Sequence, residues 1–156
     1  NVTGSIGNRG FYDVSAKVGG PIGLNTGASF SVTRKASEGS RDNLNSALVD
    51  VNVKLEQQLG AAHQVTVRAN MYDENSRQTY SGLTLAEYRF DPRYNPFVND
   101  RFDTRRYGIS ATHDWRVGDD TTLRTTAFYS YFDRDWWRQS SNSTQRPSDS
   151  SDPACG

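Results

Sequence analysis

The stretch Ala47-Leu48-Val49-Asp50-Val51-Asn52-Val53-Lys54-Leu55-Glu56 decides the fold. Its odd positions are all apolar, and its even positions carry Asp50, Asn52, Lys54 and Glu56. Successive residues of a β-strand point to opposite faces, so the segment forms a strand with one apolar and one hydrophilic face. A helix needs mixed three- and four-residue spacings, which strict alternation does not supply.

The same period recurs on either side. In 11–18, Tyr12, Val14, Ala16 and Val18 oppose Asp13, Ser15 and Lys17; in 28–33, Ala28, Phe30 and Val32 oppose Ser29, Ser31 and Thr33. In 64–71, Val65, Val67, Ala69 and Met71 oppose Gln64, Thr66, Arg68 and Asn70. Residues 107–117 and 121–134 repeat the pattern, with His113 on the apolar side and Leu48, Phe128 and Phe132 on the polar side as exceptions. Residues 2–7 are expected to add a preceding strand, closed by a turn at Asn8-Arg9-Gly10. Gly, Asn, Asp and Ser bound these segments, as turn chemistry requires.

A soluble sandwich alternates too, so the connections choose between the two. Short turns are expected at 19–27, 57–63 and 118–120, alternating with longer polar links near 35–46, 73–103 and 138–156. Short turns at one end and long loops at the other are the mark of an outer-membrane barrel, whose periplasmic turns are short and extracellular loops long. The expected fold class is therefore all-β, an antiparallel up-and-down transmembrane β-barrel, with strands 11–18, 47–56 and 104–117 running inward. Tyr12, Tyr107, Tyr129 and Tyr131 then fall near the outer interface and Trp115 near the inner one.

Composition agrees less obviously. The 156 residues are 34% hydrophobic and 23% charged, with a mean hydropathy of −0.79. No apolar run approaches the roughly 18 residues of a membrane helix. A membrane strand needs only alternate apolar residues, so these values are compatible with a barrel. Net charge is zero, and nothing points to nucleic acid as a partner. Arginine outnumbers lysine fifteen to three, and its planar fork of donors suits carboxylates, phosphates and anionic chelates. Cys155 is the one cysteine, so any disulfide partner would lie elsewhere. Six or seven strands with open edges in lipid would leave backbone groups unpaired. The chain is accordingly expected to be the N-terminal portion of a larger barrel, a single segment without a plug.

Gly19-Gly20-Pro21-Ile22-Gly23, after a strand opening Gly10-Phe11-Tyr12, resembles the first hairpin of TonB-dependent receptor barrels. Tyr80-Ser-Gly-Leu-Thr-Leu-Ala-Glu-Tyr88, continuing to Asn95-Pro-Phe-Val-Asn-Asp-Arg-Phe-Asp-Thr-Arg-Arg-Tyr107, resembles the third extracellular loop region of receptors related to the ferric dicitrate transporter. Asp133-Arg-Asp-Trp-Trp-Arg138 fits the top of the next outgoing strand. The resemblance implies a barrel of about 22 strands, an N-terminal plug with a TonB box, and import of an iron chelate driven through the TonB complex.

Polar-face parity near the outer mouth selects Arg106, Arg134, Trp136 and Arg138 as candidate ligand-binding residues. Guanidinium groups would attract an anionic ferric chelate and bond its carboxylates in bidentate fashion, and Trp136 would cover its organic face. The competing account spends these arginines on Asp103, Asp133 and Asp135 at the rim. The deeper charges, Asp50, Lys54, Arg68, Asp114, Arg116 and Arg124, are expected to line a wet wall or touch the plug. His63 falls in a predicted turn and His113 faces outward, with no second ligand at metal-binding spacing. No nucleophile motif suggests an enzyme, and no resident cofactor is implied. The functions to weigh are active uptake of a ferric siderophore or ferric-citrate-like chelate at the bacterial outer membrane, a passive porin or surface-display barrel, and a soluble all-β binding module.

Overall fold

In the computed structural model residues 1–139 are described; Cys155, and the 138–156 loop beyond residue 139, lie outside the described residues. Seven strands form one sheet in chain order: β1 (Val2–Ile6), β2 (Tyr12–Pro21), β3 (Thr26–Glu38), β4 (Asn45–Leu59), β5 (His63–Arg77), β6 (Arg101–Arg116) and β7 (Thr122–Trp137). Each pairs antiparallel with the next. One short helix, α1 (Leu85–Phe90), interrupts the β5–β6 connection.

The sheet is a single layer. The buried hydrophobic residues among those described, Ala86 and Phe97, both belong to the β5–β6 loop and not to the sheet. Val53, Leu55, Tyr107, Ile109, Tyr129 and Tyr131 stand exposed on one face, rather than packed between two sheets as in a soluble sandwich.

The register sorts side chains into rows across the strands, since directly paired residues of an antiparallel ladder share a face. On the apolar face one row reads Val32, Val51, Met71, Tyr107 and Tyr131. Towards the short turns, the last row reads Leu59, His63, Trp115 and Leu123. From the first of these rows to the last, no Asp, Glu, Lys or Arg points to this face. The next row towards the long loops is Arg34, Val49, Asp73, Arg105 and Asp133, so charge begins in one step across β3 to β7.

The strands run further than sequence alternation indicates. The 19–27 turn shrinks to 22–25, because Gly19, Gly20 and Pro21 pair with Ser29, Ala28 and Gly27. Gly19 is glycine for close approach: a Cβ there would sit 2.7 Å from the Ser29 Cβ and 3.0 Å from the Ala28 carbonyl oxygen. The 57–63 turn shrinks to 60–62, with Gly60 at φ 71°. The 35–46 link loses both ends to β3 and β4, and the 73–103 link to β5 and β6.

Helix α1 was not foreseen from the sequence. It begins at a capping box: the Thr84 hydroxyl accepts from the Glu87 backbone N–H, and the Glu87 carboxylate accepts from the Thr84 backbone N–H at 2.8 Å. The reciprocal bonds satisfy two donors that a helix start leaves orphaned. The loop around it is anchored to its surroundings. Arg93 pairs with Asp42 at 3.0 Å, Asn95 Nδ2 donates to the Asp42 carbonyl at 2.9 Å, and the Gln139 N–H donates to the Asp100 carboxylate at 2.6 Å.

Candidate functional site

At the long-loop end of the hydrophilic face, three strands bring side chains together in adjacent rows. Tyr72, Arg106 and Phe132 share one row; Glu74, Thr104 and Arg134 the next; Ser76, Phe102 and Trp136 the one beyond. Arg106 and Arg134 are therefore diagonal neighbours across the β6–β7 ladder, about 7–8 Å apart at the backbone.

The Glu74 carboxylate organises this corner. It accepts from the Tyr72 hydroxyl at 2.6 Å and from the Ser76 hydroxyl at 2.7 Å. Tyr72 is thereby held with its ring 5.9 Å from the Arg106 guanidinium. Arg134 lies 5.4 Å from the Trp136 ring, and Tyr80 comes back from the β5–β6 loop to place its own ring 5.1 Å from the same indole. Cations over aromatic faces at these distances are attracted by the ring quadrupole. Trp136 keeps 44% of its surface exposed and Tyr80 66%, so the assembly presents open aromatic faces beside two cations.

The rim carboxylates do not neutralise these arginines. Asp103, Asp133 and Asp135 have odd positions on β6 and β7 and lie on the opposite face. There Asp135 and Asp103 pair with Arg101, and Asp73 pairs with Arg105 at 2.8 Å. Alternation in the ladder separates Arg106 and Arg134 from the carboxylates beside them in sequence. Among the described residues, no ion pair involves Arg106, Arg134 or Arg138. Arg138 stands one residue past β7, exposed.

Tyr72, Glu74 and Tyr80 complete the cluster but were not singled out from the sequence. Tyr72 and Glu74 continue the polar parity of Gln64, Thr66, Arg68 and Asn70, yet Asp73 and Asn75 on the other parity make the stretch look like a loop.

A different expectation is overturned at the short-turn end. His63 is the first residue of β5 and not part of a turn, and His63 and His113 come together although fifty residues separate them. His63 Nδ1 lies 3.0 Å from His113 Nε2, with Trp115 stacked on His63 at 5.7 Å between centroids. The pairing His63↔Trp115 and Val65↔His113 makes them diagonal neighbours on one face. No group of three or more His, Cys, Asp or Glu side chains suited to a metal occurs among the described residues.

No protein-family profile matches the chain, and no curated protein matches its sequence. The structure is similar to that of the ferric-catecholate import receptor Fiu from E. coli K12 in its open form, with a TM-score of 0.73 at 18% identity. The match covers 85% of this chain and 23% of that one, so the chain spans about a quarter of that receptor's length. The likeness is one of fold: seven up-and-down antiparallel strands in one sheet, matching a segment of that receptor's structure.

Proposed function

We propose that the chain is part of the wall of an outer-membrane TonB-dependent receptor that imports a ferric chelate. The observation that carries this is the band without Asp, Glu, Lys or Arg on one face of a single-layer sheet, backed by a hydrophilic face. From Tyr107 to Trp115 it extends about 27 Å along the strand at about 3.4 Å per residue. With a tilt of about 40° that is about 20 Å of membrane depth, close to the apolar belt of bacterial barrels. Tyr107 and Tyr131, with rings 6.4 Å apart, mark its outer edge, and Trp115 its inner edge. The face carrying Arg106 and Arg134 is then the interior.

In the complete protein this segment joins the remaining strands of a barrel of about 22, closed by a plug that engages the TonB complex. The cargo is an anionic ferric siderophore or a ferric-citrate-like chelate. Fiu is named for ferric-catecholate import, and the present cluster suits either chemistry. Arg106 and Arg134 meet carboxylate or catecholate oxygens, with Arg138 beyond them, and Trp136, Tyr80 and Tyr72 offer faces for aromatic rings.

The test uses the intact protein. Ferric citrate and a ferric tricatecholate are titrated against the purified receptor, and uptake of radioactive iron is followed in cells that make it. The double variant Arg106→Gln/Arg134→Gln should bind the cognate chelate at least about tenfold more weakly, from the loss of charge-assisted bonds. Uptake should stop when the proton gradient is dissipated; uptake that persisted would make the barrel a passive pore.

A further inference from the structure

Midway down the hydrophilic face lies a hollow of about 270 Å³ whose polar lining includes Lys17, Ser29, Ser31, Lys54, Arg68 and Asn70. No carboxylate lines it. We propose that Lys17, Lys54 and Arg68, with the hydroxyls of Ser29 and Ser31, bind a small free oxyanion of the size of citrate. This site is distinct from the Arg106, Arg134 and Trp136 cluster.

The register supplies the first argument. Lys54 and Arg68 face each other directly across the β4–β5 ladder, a placement in which like charges destabilise a sheet. A local conflict of this kind is expected where a ligand relieves it. Glu56 offsets part of the charge, holding Lys54 at 2.7 Å. Neither Lys17 nor Arg68 has an ion-pair partner among the described residues.

Shape supplies the second. On one side Lys54 is paired with Ser29, and Ser29 with Gly19, so short side chains leave the wall recessed beside the cations. On the other side Asn70 faces Gly108, where a Cβ would come within 2.8 Å of the Asn70 amide nitrogen. Absence of that Cβ lets the carboxamide lie across the glycine. The nearest carboxylates along β4 are engaged, Asp50 by the Asn52 amide and Glu56 by Lys54. What remains is a recess with two cations unpaired among the described residues, Lys17 and Arg68, beside the Glu56-paired Lys54 and two hydroxyls, which fits a polycarboxylate better than a neutral or cationic solute. The inference rests on the transport reading only in taking this face as the one that solutes reach.

Iron-free citrate is titrated calorimetrically into the intact, detergent-purified protein at low ionic strength. Binding should be weakened by salt. Arg68→Gln and Lys17→Gln should each lower the affinity about tenfold, Arg68→Lys should keep most of it, and Arg34→Gln, on the opposite face of the sheet, should leave it unchanged. Thermal melts of each variant show that the barrel still folds. Native protein that binds no citrate, glutamine variants that titrate like the native protein, or an affinity lost equally in Arg34→Gln would each overturn the site. Chelate binding at the mouth is read separately, so an intact citrate site in a protein that binds no ferric chelate would count against the transport reading alone.

Discussion

Gly19 and Gly20 are sequence neighbours with opposite demands. A Cβ on Gly19 would press on Ser29 and on the Ala28 carbonyl, and both are fixed by ladder bonds; a Cβ on Gly20 would meet nothing within 4 Å. Gly19→Ala should therefore destabilise the folded protein by about 1–3 kcal/mol, as overpacking does. Gly20→Ala should be neutral or slightly stabilising, because alanine has less backbone entropy to lose in a strand. Thermal melting of the two variants side by side checks the contrast, and equal behaviour would place the β2–β3 contact differently. The same logic of close cross-strand approach explains why the candidate cluster was only partly legible. Arg106, Arg134 and Trp136 follow from parity, but the Tyr72–Glu74 bond that positions one ring depends on β5 continuing to Arg77.

At the scale of elements, the β5–β6 loop is a folded unit held by specific bonds. Thr84 caps α1 with both halves of a capping box, and Glu87 is fully buried. Thr84→Ala should cost about 0.5–2 kcal/mol of local stability, read as faster amide exchange over 84–90 with no change in the strands. Asn95 is 6% exposed and bonds both the Asp42 carbonyl and the Phe97 N–H, whereas the Arg93–Asp42 pair is open to solvent. Asn95→Ala should thus loosen the loop by about 1–3 kcal/mol and Arg93→Ala by no more than about 1 kcal/mol, ranked by protease cleavage within 78–100. The central parts of six of the seven strands were legible because one face is apolar and the other is not. Beyond the charged row of Arg34, Asp73, Arg105 and Asp133 both faces mix polar residues with apolar ones such as Ala47, Leu48, Phe102, Trp136 and Trp137. There the period-2 signal disappears while the ladder goes on, so 35–38, 73–77 and 101–103 looked like loop. The α1 helix did have a legible signal, Thr84 three residues before Glu87, hidden in a stretch with no helical apolar period.

For the molecule as a whole, the decisive question is what solvent meets the exposed valines and tyrosines. Ala127 and Phe128 are adjacent on β7 and point to opposite faces: Ala127 joins Ala28, Leu55, Val67 and Ala111 in the central row of the apolar band, and Phe128 stands opposite Ser110 on the hydrophilic face. In water, arginine at Ala127 would be harmless, and removing the 81% exposed Phe128 would be equally harmless. In a bilayer the two part company. Ala127→Arg puts a guanidinium near the hydrocarbon midplane, at a cost of about 2–4 kcal/mol, while Phe128→Arg places the same group in a wetted interior and should change stability by less than about 0.5 kcal/mol. Reversible folding of the intact protein into phospholipid vesicles measures both. Replacing the small residue should then do the damage and replacing the large aromatic should not; two indistinguishable variants would remove the membrane from the account, and the transport proposal with it.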